Sequence, residues 1–133
     1  MDANDHGLCA LDTTANVALT YQFSPRELRG IARFKTGEAN DFDINFRELL
    51  SCAFATHAWG SCSSNCATDA RRPLHVHFLI DNTSAMTWEN CLASRNTRAQ
   101  DIILLLGYWM SSLNLRFSAS HIAGADNARA DAG

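Results

Sequence analysis

The fold is decided by one stretch near the middle of the chain, which reads Leu74-His75-Val76-His77-Phe78-Leu79-Ile80-Asp81-Asn82-Thr83-Ser84-Ala85. Its first seven residues are apolar apart from two histidines, which predicts an interior parallel strand covered on both faces. Asp81 ends this strand, and Asp81 or Asn82 is expected to cap a helix that runs to about Leu92. A buried strand that leads directly into a helix is typical of an α/β domain.

Upstream of this stretch, the pattern predicts two strands and a short helix. The strands are Leu8–Asp12 and Val17–Phe23, and the residues between them have the composition of a turn. The helix is Pro25–Phe34, with proline in its first turn and Gly37 beyond its end.

A second upstream helix is predicted from the spacing Asn45-x-x-Glu48, which is that of a capping box with Asn in the usual Ser or Thr position. Apolar residues then recur at helical spacing and give the helix one apolar face. We expect this helix to stop near Gly60, and Ser61–Arg72 to form a polar loop that Pro73 closes.

Downstream, the spacing Thr97-x-x-Gln100 predicts the start of another helix. Apolar residues occur on all sides of it, so we expect it to be largely buried, with close packing at Gly107. The alternation across Leu115–Ile122 predicts a half-buried strand, and Asp126 or Asn127 is expected to begin a last helix.

These elements predict a single α/β domain over residues 1–133, with an antiparallel meander first and then strands joined by helical crossovers. A length of 133 residues fits one domain, and a hydrophobic content of 47% argues against disorder. No apolar run reaches the ~18 residues of a membrane helix. The N-terminus carries no secretory signal, so we expect an intracellular protein.

Charge and cysteine content narrow the classes of function. The net charge of −3 argues against a protein that binds nucleic acid by bulk electrostatics alone. An odd number of cysteines, five, argues against a disulfide framework. The spacing Cys62-x3-Cys66 followed by His75-x-His77 permits a zinc site, although no paired CxxC knuckle is present. The alternative is a loop with free thiols followed by two ordinary strand histidines.

Four carboxylates lie at the ends of predicted elements or of the chain: Asp2, Glu48, Asp81 and Asp131. If they converge, they form a pocket of oxygen ligands, which hard cations such as Mg²⁺ prefer. Two such ions about 3.5–4 Å apart activate water and stabilise the leaving oxygen of a phosphodiester. The alternative for each acid is structural, as a helix cap in the middle of the chain or as a solvated charge near a terminus.

The motifs resemble a known family when they are taken in order. Five segments are similar to parts of the RNase H domain of DIRS-type and related retroelement polyproteins. They are Asp2-Ala3-Asn4-Asp5-His6-Gly7-Leu8, Ile44-Asn45-Phe46-Arg47-Glu48-Leu49-Leu50, Asp81-Asn82-Thr83-Ser84-Ala85, Ala93-Ser94-Arg95-Asn96 and His121-Ile122-Ala123-Gly124-Ala125-Asp126-Asn127-Ala128-Arg129-Ala130-Asp131-Ala132-Gly133. The resemblance covers essentially the whole chain. Each motif is short and weakly specific, and their shared order carries the signal.

The resemblance implies roles for individual residues. Asp2, Glu48, Asp81 and Asp131 correspond to the acids that bind two Mg²⁺ ions, or Mn²⁺ in their place. His121 corresponds to a loop histidine that assists proton transfer or product release. The residues implied in contacts to substrate are Asn82, Arg95, Arg98 and Asn127.

The implied activity is hydrolysis of the RNA strand of an RNA–DNA hybrid, next to a reverse transcriptase domain of the same polyprotein. The alternative is a catalytically inactive RNase H-like module that positions nucleic acid. The implied fold is an RNase H-like mixed sheet flanked by helices, whose first strand lies in its middle. Because Met1 directly precedes Asp2 and the chain stops two residues after Asp131, we expect the first strand and the last helix to be truncated. A gap in the core and unpaired backbone groups should result.

Overall fold

The structure is a computed structural model that describes residues 1–37, 43–65, 72–91 and 97–131, with the backbone alone at 61–65, 89–91 and 130–131. The strands are β1 (Asp2–Ala3), β2 (Gly7–Asp12), β3 (Val17–Gln22), β4 (Leu74–Ile80) and β5 (Leu115–His121). The helices are α1 (Pro25–Lys35), α2 (Ile44–Asn65), α3 (Thr83–Cys91), α4 (Thr97–Ser112) and α5 (Ala128–Asp131), and a 3-10 turn covers Gly124–Asn127.

The described strands form two sheets. An antiparallel sheet contains β1, β2 and β3 in that order, and β4 pairs in parallel with β5. The α/β class and the antiparallel meander are therefore confirmed, but the described strands do not pair into one continuous sheet. The two sheets meet where the ammonium group of Met1 donates to the carbonyl oxygen of Leu79 at 2.9 Å. Because β1 has only two residues, it is too short to form strand ladders with both β2 and β4.

The core forms around α2, which packs against both sheets and against α3 and α4. Leu49 and Cys52 are fully buried on this helix, and Ile80 and Leu106 are fully buried opposite it. Fully burying a side chain of this size stabilises the fold by about 1.5–3 kcal/mol. The position of α2 matters for function because its first turn reaches both β1 and the end of β4.

Local signals place the first elements as predicted. Asp12 Oδ1 accepts hydrogen bonds from the backbone N–H groups of Thr14 and Ala15 in the turn between β2 and β3. Helix α1 begins with a capping box formed by Ser24 and Glu27, with Pro25 in the first turn. These contacts span three residues at most, so the sequence pattern alone is enough to predict them.

Helix α2 differs from its prediction at both ends. Its first turn is capped by Asp43, whose Oδ1 accepts from the N–H of Phe46 at 2.8 Å, so the predicted capping box at Asn45 is wrong. Gly60 does not stop the helix, which continues to Asn65. A Cβ at Gly60 would lie 3.0 Å from Leu113 Cδ1, so this glycine permits close packing instead of ending the helix. The rest of the predicted loop, at 66–71, lies outside the described residues.

Strand β4 is covered on one face only. Phe78 and Ile80 are buried, whereas His75, His77 and Leu79 are exposed, so the predicted cover on both faces is wrong. The buried residues belong to the core around α2, while the alternate residues point to the opposite face. The apolar run reflects local β-propensity and does not require a second layer.

Helix α4 is also less buried than predicted. Ile103 and Leu106 are buried, but Leu104 and Tyr108 are 64% and 66% exposed. Close packing at Gly107 is wrong as well, because a Cβ there would meet nothing within 4 Å. None of the described helices combines the length and the apolar character needed to cross a membrane.

Candidate metal centre

Three of the predicted carboxylates come together at the junction of the two sheets. Asp2, Glu48 and Asp81 each offer an oxygen that lies within 4.8 Å of the other two. They come from β1, from the first turn of α2 and from the residue directly after β4. Residues separated by more than thirty positions in sequence thus form one acidic cluster, which contains three of the four acids named from the sequence.

Asp2 and Glu48 are held together by a backbone contact. The N–H of Ala3 donates to Glu48 Oε1 at 3.0 Å, and this bond is buried. Asp2 pairs with Cys9 of β2 in the antiparallel sheet, which fixes the position of β1 along its neighbour. The first strand and the first turn of α2 are therefore fixed relative to each other.

Asp81 is positioned by the chain segments on either side of it. Asn82 caps α3 by accepting from the N–H of Ala85 at 2.8 Å, and its Nδ2 donates to Asn45 Oδ1 at 2.8 Å. This contact ties the start of α3 to the first turn of α2. Gly124 lies nearby, since a Cβ there would stand 3.8 Å from Asp81 Oδ2.

Glu48 is the most strongly perturbed group of the cluster. Its side chain is buried, and within the described chain its Oε2 has no hydrogen-bond partner. Burial and, to a smaller extent, the negative charges of Asp81 and Asp2 together raise the pKa of Glu48 from 4.5 to about 8, against the opposing hydrogen bond from the N–H of Ala3. At neutral pH and without a cation, Glu48 therefore carries a proton.

These residues fit a hard divalent cation. All three ligand groups are carboxylates, which Mg²⁺ and Mn²⁺ prefer. A cation would satisfy the buried Oε2 of Glu48 and offset the repulsion between the three acids. Because carboxylate ligands bind metal in the deprotonated form, cation binding and loss of the Glu48 proton are coupled.

Two further predicted residues, His121 and Asn127, lie in the same region. His121 is exposed at the end of β5, paired with Ile80, the residue before Asp81. Asn127 is buried, and its Nδ2 donates to the carbonyl oxygen of Met1 at 3.0 Å. Asn127 therefore contacts the residue that directly precedes β1. The backbone of Asp131 lies in α5, but its side chain lies outside the described residues.

Of the other residues predicted to contact substrate, Asn82 and Arg98 belong to the described part of the chain. Asn82 makes the two contacts given above. Arg98 is exposed, with its guanidinium 5.5 Å from the ring centroid of Phe46, which lies in the first turn of α2. Arg95 lies outside the described residues.

Sequence reasoning missed Arg47. This residue is buried beside Glu48, and its Nη1 donates to the carbonyl oxygen of Asn4 at 2.5 Å and to Asp5 Oδ1 at 3.2 Å. Hydrogen bonding to Lys35, assisted by Arg47, lowers the pKa of Asp5 despite its partial burial. Arg47 thus anchors the segment that follows β1. The signal in the sequence that could have identified Arg47 is its position directly before Glu48.

The zinc alternative is tested only in part. His75 and His77 hydrogen-bond to Ser118 on β5, at 2.7 and 2.5 Å, and His77 also bonds to Ser120 at 2.6 Å. These contacts engage both ring nitrogens of His77 and the Nε2 of His75. The side chains of Cys62 and Cys66 lie outside the described residues.

Compared with known protein families, curated proteins and solved structures, this chain matches none of them.

Proposed function

We propose that this chain is a divalent-cation-dependent nuclease of the RNase H type, which hydrolyses the RNA strand of an RNA–DNA hybrid. The observation that carries the proposal is the convergence of Asp2, Glu48 and Asp81 within 4.8 Å. The choice of hybrid as substrate rests on the resemblance of the ordered motifs to retroelement RNase H domains.

The order of the strands supports this proposal. The hydrogen bond from Met1 to Leu79 joins the antiparallel sheet to the β4–β5 pair. If the two sheets are ordered across this bond, β1 lies between β2 and β4. The resemblance predicts such a central first strand that carries the first acid. Asp81 then follows the neighbouring parallel strand, at the edge where ligands bind in open α/β sheets.

The chain's own residues have distinct tasks in this proposal. Asp2, Glu48 and Asp81 hold the cation, with Asp131 as the fourth acid implied by the resemblance. A bound Mg²⁺ supplies Lewis-acid activation of water and charge stabilisation at the phosphate. Arg98, exposed near the first turn of α2, would contact a backbone phosphate. The exposed imidazole of His121 is available to move a proton.

A cleavage assay tests the proposal. The full chain is incubated with a labelled RNA–DNA hybrid and Mg²⁺ or Mn²⁺, beside Asp81→Asn and the control Asp101→Asn, which changes an exposed carboxylate on α4. We expect cleavage by the parent chain and by Asp101→Asn, and a loss of at least about a hundredfold with Asp81→Asn. Equal cleavage by all three proteins, or none by any of them in either metal, would overturn the proposal.

The inactive-module alternative is separated by a binding measurement on the same proteins. Calorimetry with Mn²⁺ near pH 7, in two buffers of different ionisation enthalpy, reports both binding and proton release. A nuclease centre binds Mn²⁺ with release of the Glu48 proton, and Asp81→Asn weakens this binding. A folded chain that binds the hybrid but neither cation would instead be the nucleic-acid-positioning module.

A further inference from the structure

Helix α1 concentrates positive charge in a protein that is negative overall. Its 11 residues include four basic side chains, Arg26, Arg29, Arg33 and Lys35, and a single acid, Glu27. The whole chain has 11 basic residues and a net charge of −3. Helix α1 is therefore a local region of opposite sign, and local charge decides which ligands a surface attracts.

Three of these arginines form one stripe along the outward face of α1. Successive residues of an α-helix are rotated by about 100°, so Arg26, Arg29 and Arg33 fall within about 60° of one another. Ile31 lies on the opposite side of the helix and is buried in the core. The three arginines are exposed, and within the described chain they form no ion pair. We call these three residues the arginine stripe.

The other charges of α1 do not neutralise the arginine stripe. Glu27 Oε2 accepts hydrogen bonds from the N–H of Ser24 at 2.6 Å and from the hydroxyl of Tyr21 at 3.1 Å. The carboxylate of Glu27 is thus turned toward the start of the helix and toward β3. Lys35 is separate from the stripe, because its ammonium group forms an ion pair with Asp5.

Helix α1 begins at the end of the antiparallel sheet where the acidic cluster lies. The last residue of β3, Gln22, pairs with Gly7, the first residue of β2. The N–H of Phe23 then donates to the carbonyl oxygen of His6 at 2.8 Å. His6 and Gly7 follow the turn that leaves β1, so the start of α1 contacts the segment directly after Asp2 and its neighbours.

The last turn of α1 also lies next to this segment. Asp5 forms ion pairs with Lys35 of α1 and with Arg47 of α2. Arg47 directly precedes Glu48, so one carboxylate connects the end of α1 to the helical turn that carries an acid of the cluster. The arginine stripe therefore borders the candidate metal centre, on the side of the antiparallel sheet.

The spacing of the arginine stripe fits a phosphate backbone. Arg26 and Arg33 lie about 10 Å apart along the helix axis, and one strand of a duplex carries a phosphate about every 3.4 Å of its axis. The forked guanidinium group matches the geometry of phosphate oxygens. A helix that lies on a membrane presents its apolar face outward, whereas Leu28, Ile31 and Phe34 lie on the half of α1 opposite the stripe.

We propose that the arginine stripe of α1 binds the phosphate backbone of a nucleic-acid duplex that is held against the acidic cluster. The choice of nucleic acid among polyanions rests on the proposed function. The contact is additional to those that the motif resemblance implies, because none of the residues it names lies in α1. Since phosphate contacts carry no base information, the stripe would position duplexes of any sequence.

Binding of a fluorescently labelled RNA–DNA hybrid to the full chain tests the proposal. Anisotropy is measured over a range of salt concentrations, with a chelator present so that no strand is cut. The stripe variant carries Arg29→Gln and Arg33→Gln. The control carries Arg72→Gln and Arg116→Gln, which remove the same charge from exposed positions near the starts of β4 and β5, away from Asp81.

We expect the stripe variant to bind the hybrid about tenfold or more weakly than the parent chain at about 0.1 M salt. The slope of log Kd against log salt concentration should fall by about 2, since two phosphate contacts are lost. The control variant should change the affinity by less than about threefold. Arg29→Lys with Arg33→Lys retains both charges and should restore the slope.

Four results would overturn the proposal. Equal affinity and slope in the stripe and control variants would show that only net charge matters, and failure of the lysine variant to restore the slope would show that the arginines act on the fold. Displacement of the hybrid by polyglutamate as effectively as by unlabelled duplex would identify an acidic protein as the occupant. Stripe-dependent binding to vesicles of anionic lipid, with stripe-independent binding to the hybrid, would identify a membrane.

The outcome is separable from that of the cleavage assay, because the chelator removes cleavage from the binding measurement. Stripe-dependent binding without cleavage in Mg²⁺ or Mn²⁺ would overturn the nuclease proposal alone. Cleavage that requires Asp81, together with binding that is unchanged in the stripe variant, would overturn this inference alone.

Discussion

Among individual residues, Glu48 had two alternative roles that the sequence pattern could not separate. The pattern assigned it either to a capping box or to a metal site. In the structure its Oε1 accepts from Ala3 on a remote strand, while Oε2 is buried without a partner among the described residues. A capping role is thereby excluded, because neither oxygen bonds to the start of its own helix.

The protonation of Glu48 makes folding stability depend on pH. With the pKa near 8 in the folded state and 4.5 ordinarily, the folded protein holds a proton that the unfolded chain releases between these values. Its contribution to stability is therefore complete below about pH 4.5 and is lost as the pH rises through about 8. Each unit of pKa difference corresponds to about 1.4 kcal/mol.

We predict that Glu48→Gln, which is neutral at every pH, removes most of this dependence. In urea unfolding with a chelator present, the parent chain should lose several kcal/mol of unfolding free energy between about pH 5 and about pH 8, and the variant much less. The control Asp101→Asn should follow the parent chain. A parallel decline in parent and Glu48→Gln would contradict a protonated Glu48.

At the scale of single elements, α2 illustrates how a helix start is chosen. Two candidate caps lie two residues apart, and Asp43 is used while Asn45 instead accepts from Asn82 on α3. The tertiary contact takes the side chain that the local pattern had assigned to the cap. This choice also sets which residues of the first turn face β1.

We predict that Asp43→Ala lowers the free energy of unfolding by about 1 kcal/mol, because the N–H of Phe46 loses its acceptor. Asp43→Asn should be nearly neutral, since asparagine caps helices about as well as aspartate. Both values come from denaturant unfolding. Equal losses with Asp43→Asn and Asp43→Ala would show that the carboxylate charge, and not the cap, stabilises α2.

The two helical glycines are expected to respond differently to alanine. Gly107→Ala should stabilise the protein by about 1 kcal/mol, because alanine favours the helix and the added Cβ meets nothing within 4 Å. Gly60→Ala should gain less or lose stability, because its Cβ would stand 3.0 Å from Leu113 Cδ1. Thermal unfolding of both variants checks the order, and a reversed order would contradict the packing described for α2 and α4.

At the scale of the whole molecule, the two sheets are held together around Met1. Its ammonium group donates to Leu79, and its carbonyl oxygen accepts from the buried Asn127. A few contacts at one residue thus connect the antiparallel sheet, the parallel pair and the turn that leads into α5. The same junction positions Asp2 opposite Glu48 and Asp81.

We predict that Asn127→Ala destabilises the protein by about 1–3 kcal/mol, because the carbonyl of Met1 loses a buried donor. Arg129→Ala serves as the control. Arg129 is an exposed neighbour whose guanidinium bonds to Asn16, and its loss should change stability by less than about 0.5 kcal/mol. Equal effects in urea unfolding would contradict a structural role for the Asn127 contact.

The sequence by itself determined the α/β class and the positions of most strands and helices, and it named four candidate acids without deciding which of them meet. Strand alternation, the Ser24 capping box and the turn at Asp12 act over a few residues, so their patterns are legible without the fold. Tertiary structure alone decided the cap at Asp43, the exposed face of β4 and the raised pKa of Glu48. Each of these depends on groups far apart in the chain, such as Ala3 and Glu48, which are 45 positions apart. Only folding brings such groups into contact and removes them from water.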